Sequence, residues 1–143
     1  MSRGELSFPA DGAVLRQVRA EVRAAAAALG AQPAVCDNLA LVVDELVNNA
    51  IEHGASYRQG TAELRVAILG QGDALTIDFF DPEMPPEQVV ELAAVLAETA
   101  NGMPSLDSER GRGLFLLSVY LEELRAGHAP DGGLCLSGRI QRQ

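Results

Sequence analysis

The run Asn38–Gly54, NLALVVDELVNNAIEHG, limits what this chain can fold into more than any other stretch. Leu39, Val42, Val43, Leu46 and Ala50 recur at spacings of three and four. Those spacings put them on one side of a helix and demand a second layer to cover them. Glu45 and Asn49 stand four apart at the margin of the stripe, with Glu52 one turn on and His53 nearby. An acid and an amide stacked one turn apart offer oxygens suited to hard cations and phosphate chemistry. An ordinary amphipathic helix shows the same pattern, so spacing alone is satisfied by packing inside and solvation outside. Gly54 is expected to end the helix in the left-handed conformation.

With 143 residues, 48% hydrophobic and 22% charged, the chain is of single-domain size and can bury its own core. A formal net charge of −9 and no basic patch argue against nucleic acid and anionic lipid as partners. Proteins, or a small anion held by local groups, fit better. Cys36 and Cys135 have no CxxC or Cys/His cluster beside them, and read as two small buried hydrophobes in a reduced chain. No signal-peptide core and no membrane-length apolar run is present, so the expected location is the cytoplasm.

Leu6-Ser7-Phe8 opens a short strand. A helix follows with Leu15, Val18, Val22, Ala25, Ala26 and Leu29 on one face, Arg16, Arg19 and Arg23 off it, and Gly30 at its end. Pro33 suits the first turn of the second helix, which runs to His53, and Ala55–Gly60 reads as a loop. Leu64/Val66/Ile68 and Leu75/Ile77/Phe79 alternate on either side of Gly70-Gln71-Gly72-Asp73, an antiparallel hairpin. A short helix is predicted from about Glu87 to Glu98, with Val90, Ala93, Ala94 and Ala97 on one side. Asn101–Ser108 reads as a mobile loop. A last helix begins near Gly113 with Leu114, Leu117, Leu121 and Leu124 in phase, and Asp131-Gly132-Gly133 leads into a closing strand over Leu134–Ile140. This order predicts an α/β sandwich: one domain over 1–143, with a mixed, mostly antiparallel sheet and helices packed on one face.

Two further segments bear on chemistry. Ser108-Glu109-Arg110-Gly111-Arg112-Gly113-Leu114 places glycines and arginines before an apolar helix. Free N–H groups and the positive dipole end there bind phosphate, although a lone GxG is also common in plain loops. Asp81 stands at the end of a hydrophobic strand, where its carboxylate can accept from an exocyclic amine such as that of adenine. Asp-Pro also simply starts turns.

Taken in order, ELVNNAIEH, Asp81 at a strand end and GRGLFLL at a helix start resemble the GHKL (Bergerat-fold) ATP-binding family. Within it they are most similar to the small bacterial anti-sigma-factor serine/threonine kinases of partner-switching modules. The resemblance spans nearly the whole chain, and Glu-x-x-x-Asn-Ala-x-x-His is its most specific element.

By that resemblance, Glu45 is the general base that activates the attacking hydroxyl, and Asn49 ligates the Mg2+ that bridges the ATP phosphates. His53 matches the pattern and supports the helix end. Asp81 reads the adenine amino group, while Gly111 and Gly113 cradle phosphate and Arg110 contacts it. The ATP lid falls around 82–110 and includes Asn101–Ser108. The implied activity is that of a homodimeric anti-sigma factor holding a sigma factor in one state. In the other state it binds a small STAS-type anti-anti-sigma protein and phosphorylates its serine with Mg-ATP, without direct contact to nucleic acid or membrane.

One departure matters. The family has Asp-x-Gly-x-Gly where this chain has Asp81-Pro82-Glu83-Met84-Pro85. Both glycines are lost, Pro85 has no N–H to give, and Glu83 brings an anion toward an anionic ligand. A second reading is therefore a degenerate module of the same fold that regulates by partner sequestration alone. The catalytic fragment of a sensor histidine kinase fits less well, because His53 and His128 are poor phosphorylation sites.

Overall fold

The computed structural model describes residues 3–60, 62–100 and 109–143. The elements run β1 (Arg3–Phe8), α1 (Leu15–Ala28), α2 (Pro33–Gly54), β2 (Leu64–Gln71), β3 (Ala74–Asp81), α3 (Pro86–Ala100), α4 (Glu109–Tyr120), β4 (Glu122–His128) and β5 (Leu134–Gln141). The strands form one sheet in the order β1-β2-β3-β5-β4, every described pair antiparallel. Strand parity explains why one face is covered. Leu64, Val66 and Ile68 of β2, Leu75, Ile77 and Phe79 of β3, and Leu134, Leu136 and Ile140 of β5 are all buried under the helices. The opposite face carries polar ladders: Ser137 Oγ donates to Asp78 at 2.6 Å, and the Arg65 guanidinium lies 4.2 Å from the Phe80 ring centroid.

Helix α2 is the hub, packing against both α1 and α4. Leu39, Ala40, Val43 and Val47 are fully buried, as its stripe requires. Arg19–Asp44 at 2.8 Å and Arg23–Asp37 at 3.1 Å tie α1 to α2. Both pairs are solvated enough to contribute no more than about 1 kcal/mol each. Cys36 is buried and Cys135 half-buried, both as thiols, and desolvation pushes each thiol up. No described helix is long and apolar enough to cross a membrane.

Two expectations about the fold are corrected. The buried stripe of α3 is Val89, Leu92 and Leu96, while Val90 is 60% exposed. Both stripes have helical spacing, and the one with leucines removes more apolar area from water than the alanines would. The final helix also stops at Tyr120, and Glu122–His128 forms β4 instead of continuing it. Leu121 still donates its N–H to the Leu117 carbonyl at 2.9 Å, so the leucine spacing runs on past the end of the helix. Glu123 then adopts a positive φ of 54° where the β4–β5 register shifts, a bulge that turns the chain into the sheet.

Candidate functional site

Leu46, Val47 and Ala50 pin the second half of α2 to the core and leave Glu45 and Asn49 half-buried at its rim. Asn49 and Asp81 face a common cavity of about 20 Å³, walled by Phe79, Met84, Leu92 and Leu114. That volume holds roughly one water molecule and no purine. Glu45 looks toward α4: its Oε2 lies 3.3 Å from where a Cβ on Gly113 would stand. Partial burial, then the charges of Asp44 and Glu52, raise the Glu45 pKa above the ordinary carboxylate value. Glu45 is thereby a stronger base than a solvated glutamate.

Helix α4 already includes Glu109, at least four residues before the expected boundary near Gly113. The arginines and glutamate there are good helix formers and carry the two glycines into the helix. Gly113 therefore stands at least one turn inside the helix, where its N–H falls within the helical ladder. There it gives Glu45 room. Of the 82–110 stretch read as a lid, Pro86–Ala100 is α3, packed on β4 and α4. Asn101–Ser108 lies outside the described residues, as does the side chain of Arg110. His53 is half-buried in the last turn of α2.

Asp81 is where the site departs most from expectation. It is 0% exposed, the one buried charged residue among those described. Arg58 Nη2 donates to Oδ2 at 2.7 Å and Nη1 to Oδ1 at 3.0 Å. The Tyr57 hydroxyl donates to Oδ2 at 2.7 Å, and the Glu83 N–H to Oδ1 at 3.2 Å. Arg58 also donates to the Ala50 carbonyl at 3.1 Å and pairs with Glu83 at 3.5 Å. Burial would lower the Arg58 pKa, but the hydrogen bond and charge of Asp81, with Tyr57 and Glu83, outweigh it and raise it. Its Nε is buried and has no acceptor among the described residues, at a cost of about 1–3 kcal/mol.

Three sequence readings change with this cluster. Tyr57 and Arg58 belong to the site, whereas Ala55–Gly60 read as a plain loop. Gly54 is helical, with the chain continuing right-handed into Ala55 at φ −57°. It is a glycine because a Cβ there would collide with Nη2 of Arg58. Glu83 is spent on Arg58 and on the Gln59 N–H at 2.6 Å, instead of facing a ligand.

The chemistry is therefore split between two ends. At the rim, Glu45 and Asn49 supply a base and an amide oxygen. Among the described residues no three His, Cys, Asp or Glu side chains converge as a metal cage. A Mg2+ ion there would draw most of its ligands from phosphate and water, as that ion commonly does. At the floor, Asp81 is saturated by protein donors.

Residues 8–137 match the sequence model of the histidine kinase-like ATPase domain. Among solved structures, a chain in the SiaB–SiaC complex from Pseudomonas aeruginosa superposes with a TM-score of 0.72 at 16% identity, over 95% of this chain and 88% of that one. The RsbU and RsbW domains of Rv1364c from Mycobacterium tuberculosis give 0.66 at 20% identity, over 99% of this chain but only 32% of that longer one. At these identities the likeness is one of fold. No curated protein shows significant sequence similarity.

Proposed function

Since the chain belongs to the histidine kinase-like ATPase family, we propose that it is an ATP-dependent serine/threonine protein kinase acting as an anti-sigma factor in a cytoplasmic partner-switching module. Its substrate is a STAS-type anti-anti-sigma protein, its other partner a sigma factor, and its working form a homodimer. The observation that carries this reading is the convergence of a base-strengthened Glu45, Asn49 and the Gly113 helix in one place. The SiaB–SiaC complex and the RsbU–RsbW chain, both of similar fold, favour a protein partner.

Phosphoryl transfer asks mainly for positioning and charge neutralisation. Bound Mg-ATP supplies the transferable group and the neutralising ion. Glu45 would take the proton from the acceptor serine hydroxyl as that oxygen attacks the γ-phosphorus of ATP, with ADP as the leaving group. Asn49 would offer its amide oxygen to the metal, and the segment carrying Arg110 and Gly111 at the N-terminal part of α4 would hold phosphate. His53 supports the C-terminal end of α2, the helix that carries Glu45 and Asn49.

Incubation with radiolabelled ATP, Mg2+ and a candidate STAS protein tests the reading: label is expected on a serine of that protein. A stable complex without label transfer would overturn the kinase activity and leave partner sequestration. The saturated Asp81 and the loss of both loop glycines favour that second reading.

Gly113→Ala gives a finer test. The flexible Glu45 carboxylate can yield a few tenths of an ångström, so the added Cβ should bring the usual helix gain of roughly 0.5–1 kcal/mol. Displacing the base should nevertheless slow transfer about tenfold. A thermal melt and an initial-rate assay on one preparation read both effects.

A further inference from the structure

This inference rests on the ATP-binding reading and concerns the floor of the same pocket. We propose that Arg58 is a built-in competitor of the nucleotide base: its guanidinium holds the oxygens of Asp81 that an adenine amino group needs, so ATP binds only by taking Asp81 from it. A carboxylate has about four lone-pair sites. Arg58 Nη1 and Nη2, the Tyr57 hydroxyl and the Glu83 N–H occupy four, and no part of Asp81 is exposed. The adjoining cavity of about 20 Å³ cannot take a purine while this arrangement holds.

The arrangement is built to open. Arg58 hangs on a surface loop whose Ala55, Ser56, Gln59 and Gly60 are exposed, so the loop can shift without unpacking the helices from the sheet. The docked guanidinium is also imperfectly satisfied, with a buried Nε that lacks an acceptor among the described residues and regains one in water. A released Arg58 leaves Asp81 facing the cavity with acceptor sites free. The apparent affinity for ATP is then lowered by the fraction of time that Arg58 spends docked.

Calorimetric titration of Mg-ATP and Mg-GTP into the full chain, its R58K and R58Q variants and Y57F tests this, with the fold of each variant verified by a melt. Lysine keeps the charge but loses the fork that grips both oxygens. R58K is expected to bind ATP at least about tenfold more tightly than the unmodified chain, because docking no longer competes. R58Q is expected to gain as well, although it has lost a cation that would attract the triphosphate. The gain should be confined to ATP, since guanine presents a carbonyl where adenine presents the amine.

Y57F removes one neutral donor to Asp81 and keeps the tightening measurable if R58Q fails to fold. About a twofold to threefold gain is expected from so small a loosening. Equal or weaker ATP binding by the folded variants overturns the competition and leaves ATP binding standing. Equal gains for ATP and GTP also overturn it, as general loosening. If neither the unmodified chain nor any folded variant binds ATP, the reading of the pocket as an ATP site falls, and this inference with it.

Discussion

Replacing Glu45 with glutamine is expected to cut phosphoryl transfer by about 10²–10⁴-fold while making the chain more stable at neutral pH. The amide keeps the size of the side chain but cannot take a proton. The stability gain follows from the direction of the pKa shift. Desolvation first, then Asp44 and Glu52, raise the Glu45 pKa in the folded chain. The native state therefore holds that proton more tightly than the unfolded chain does. Stability falls as pH climbs from the ordinary glutamate value through the raised one, and above that the full cost persists. Glutamine removes a cost present at pH 7.5 and absent below about pH 4. The difference in melting temperature between E45Q and the parent should thus be positive at pH 7.5 and close to zero at pH 4. Partner binding, followed by calorimetry, should survive. Transfer within about twofold of the parent would remove Glu45 from the role of base.

The geometry of Glu45 and Asn49 was legible because it is local: helical periodicity alone sets them one turn apart beside a buried stripe. Asp81 was legible in position but not in company. Its partners Tyr57 and Arg58 sit in a segment without periodicity, and only tertiary contact decides where such a loop lies. A usable signal was nevertheless present. Asp81 shares strand parity with Leu75, Ile77 and Phe79, so it must face inward, and a carboxylate facing inward requires a counter-charge. Arg58 is the basic residue nearest in the loop leading into the hairpin.

The misread elements share a cause. Leu121 and Leu124 continue helical spacing across a boundary set by the Glu123 bulge and by pairing with β5, which is a non-local constraint. On α3, Val89 and Val90 are adjacent valines, and Val89 is the one in phase with Leu92 and Leu96 under the cover of β4 and α4. Gly113 reads as a helix start because the leucine spacing begins just after it, yet it lies inside α4 and faces Glu45 of another helix.

Asp81→Ala is expected to destabilise the chain by about 3–5 kcal/mol, a penalty that loss of a ligand contact alone would not impose. The substitution strands a guanidinium only 11% exposed, with Glu83 at 3.5 Å as its remaining counter-charge. The Tyr57 hydroxyl and the Glu83 N–H lose their acceptor with it. For a chain of this length the melting temperature should fall by roughly 10–17 °C. Asp81→Asn should be nearly as costly, because its NH2 group turns a donor toward one arm of the Arg58 fork. The double variant R58M/D81L removes both charges and all need to pair them, and should recover most of the loss. Urea midpoints at constant slope for the parent, R58M, D81L and R58M/D81L give the four corners of the cycle, with a coupling energy on the order of 2–3 kcal/mol. If D81A costs less than about 1 kcal/mol, the ion pair does not hold in solution, and the competition proposed for Arg58 goes with it. A larger cost means that Asp81 is required to fold the chain whether or not it also reads a base. Its presence at the end of β3 then serves the structure first.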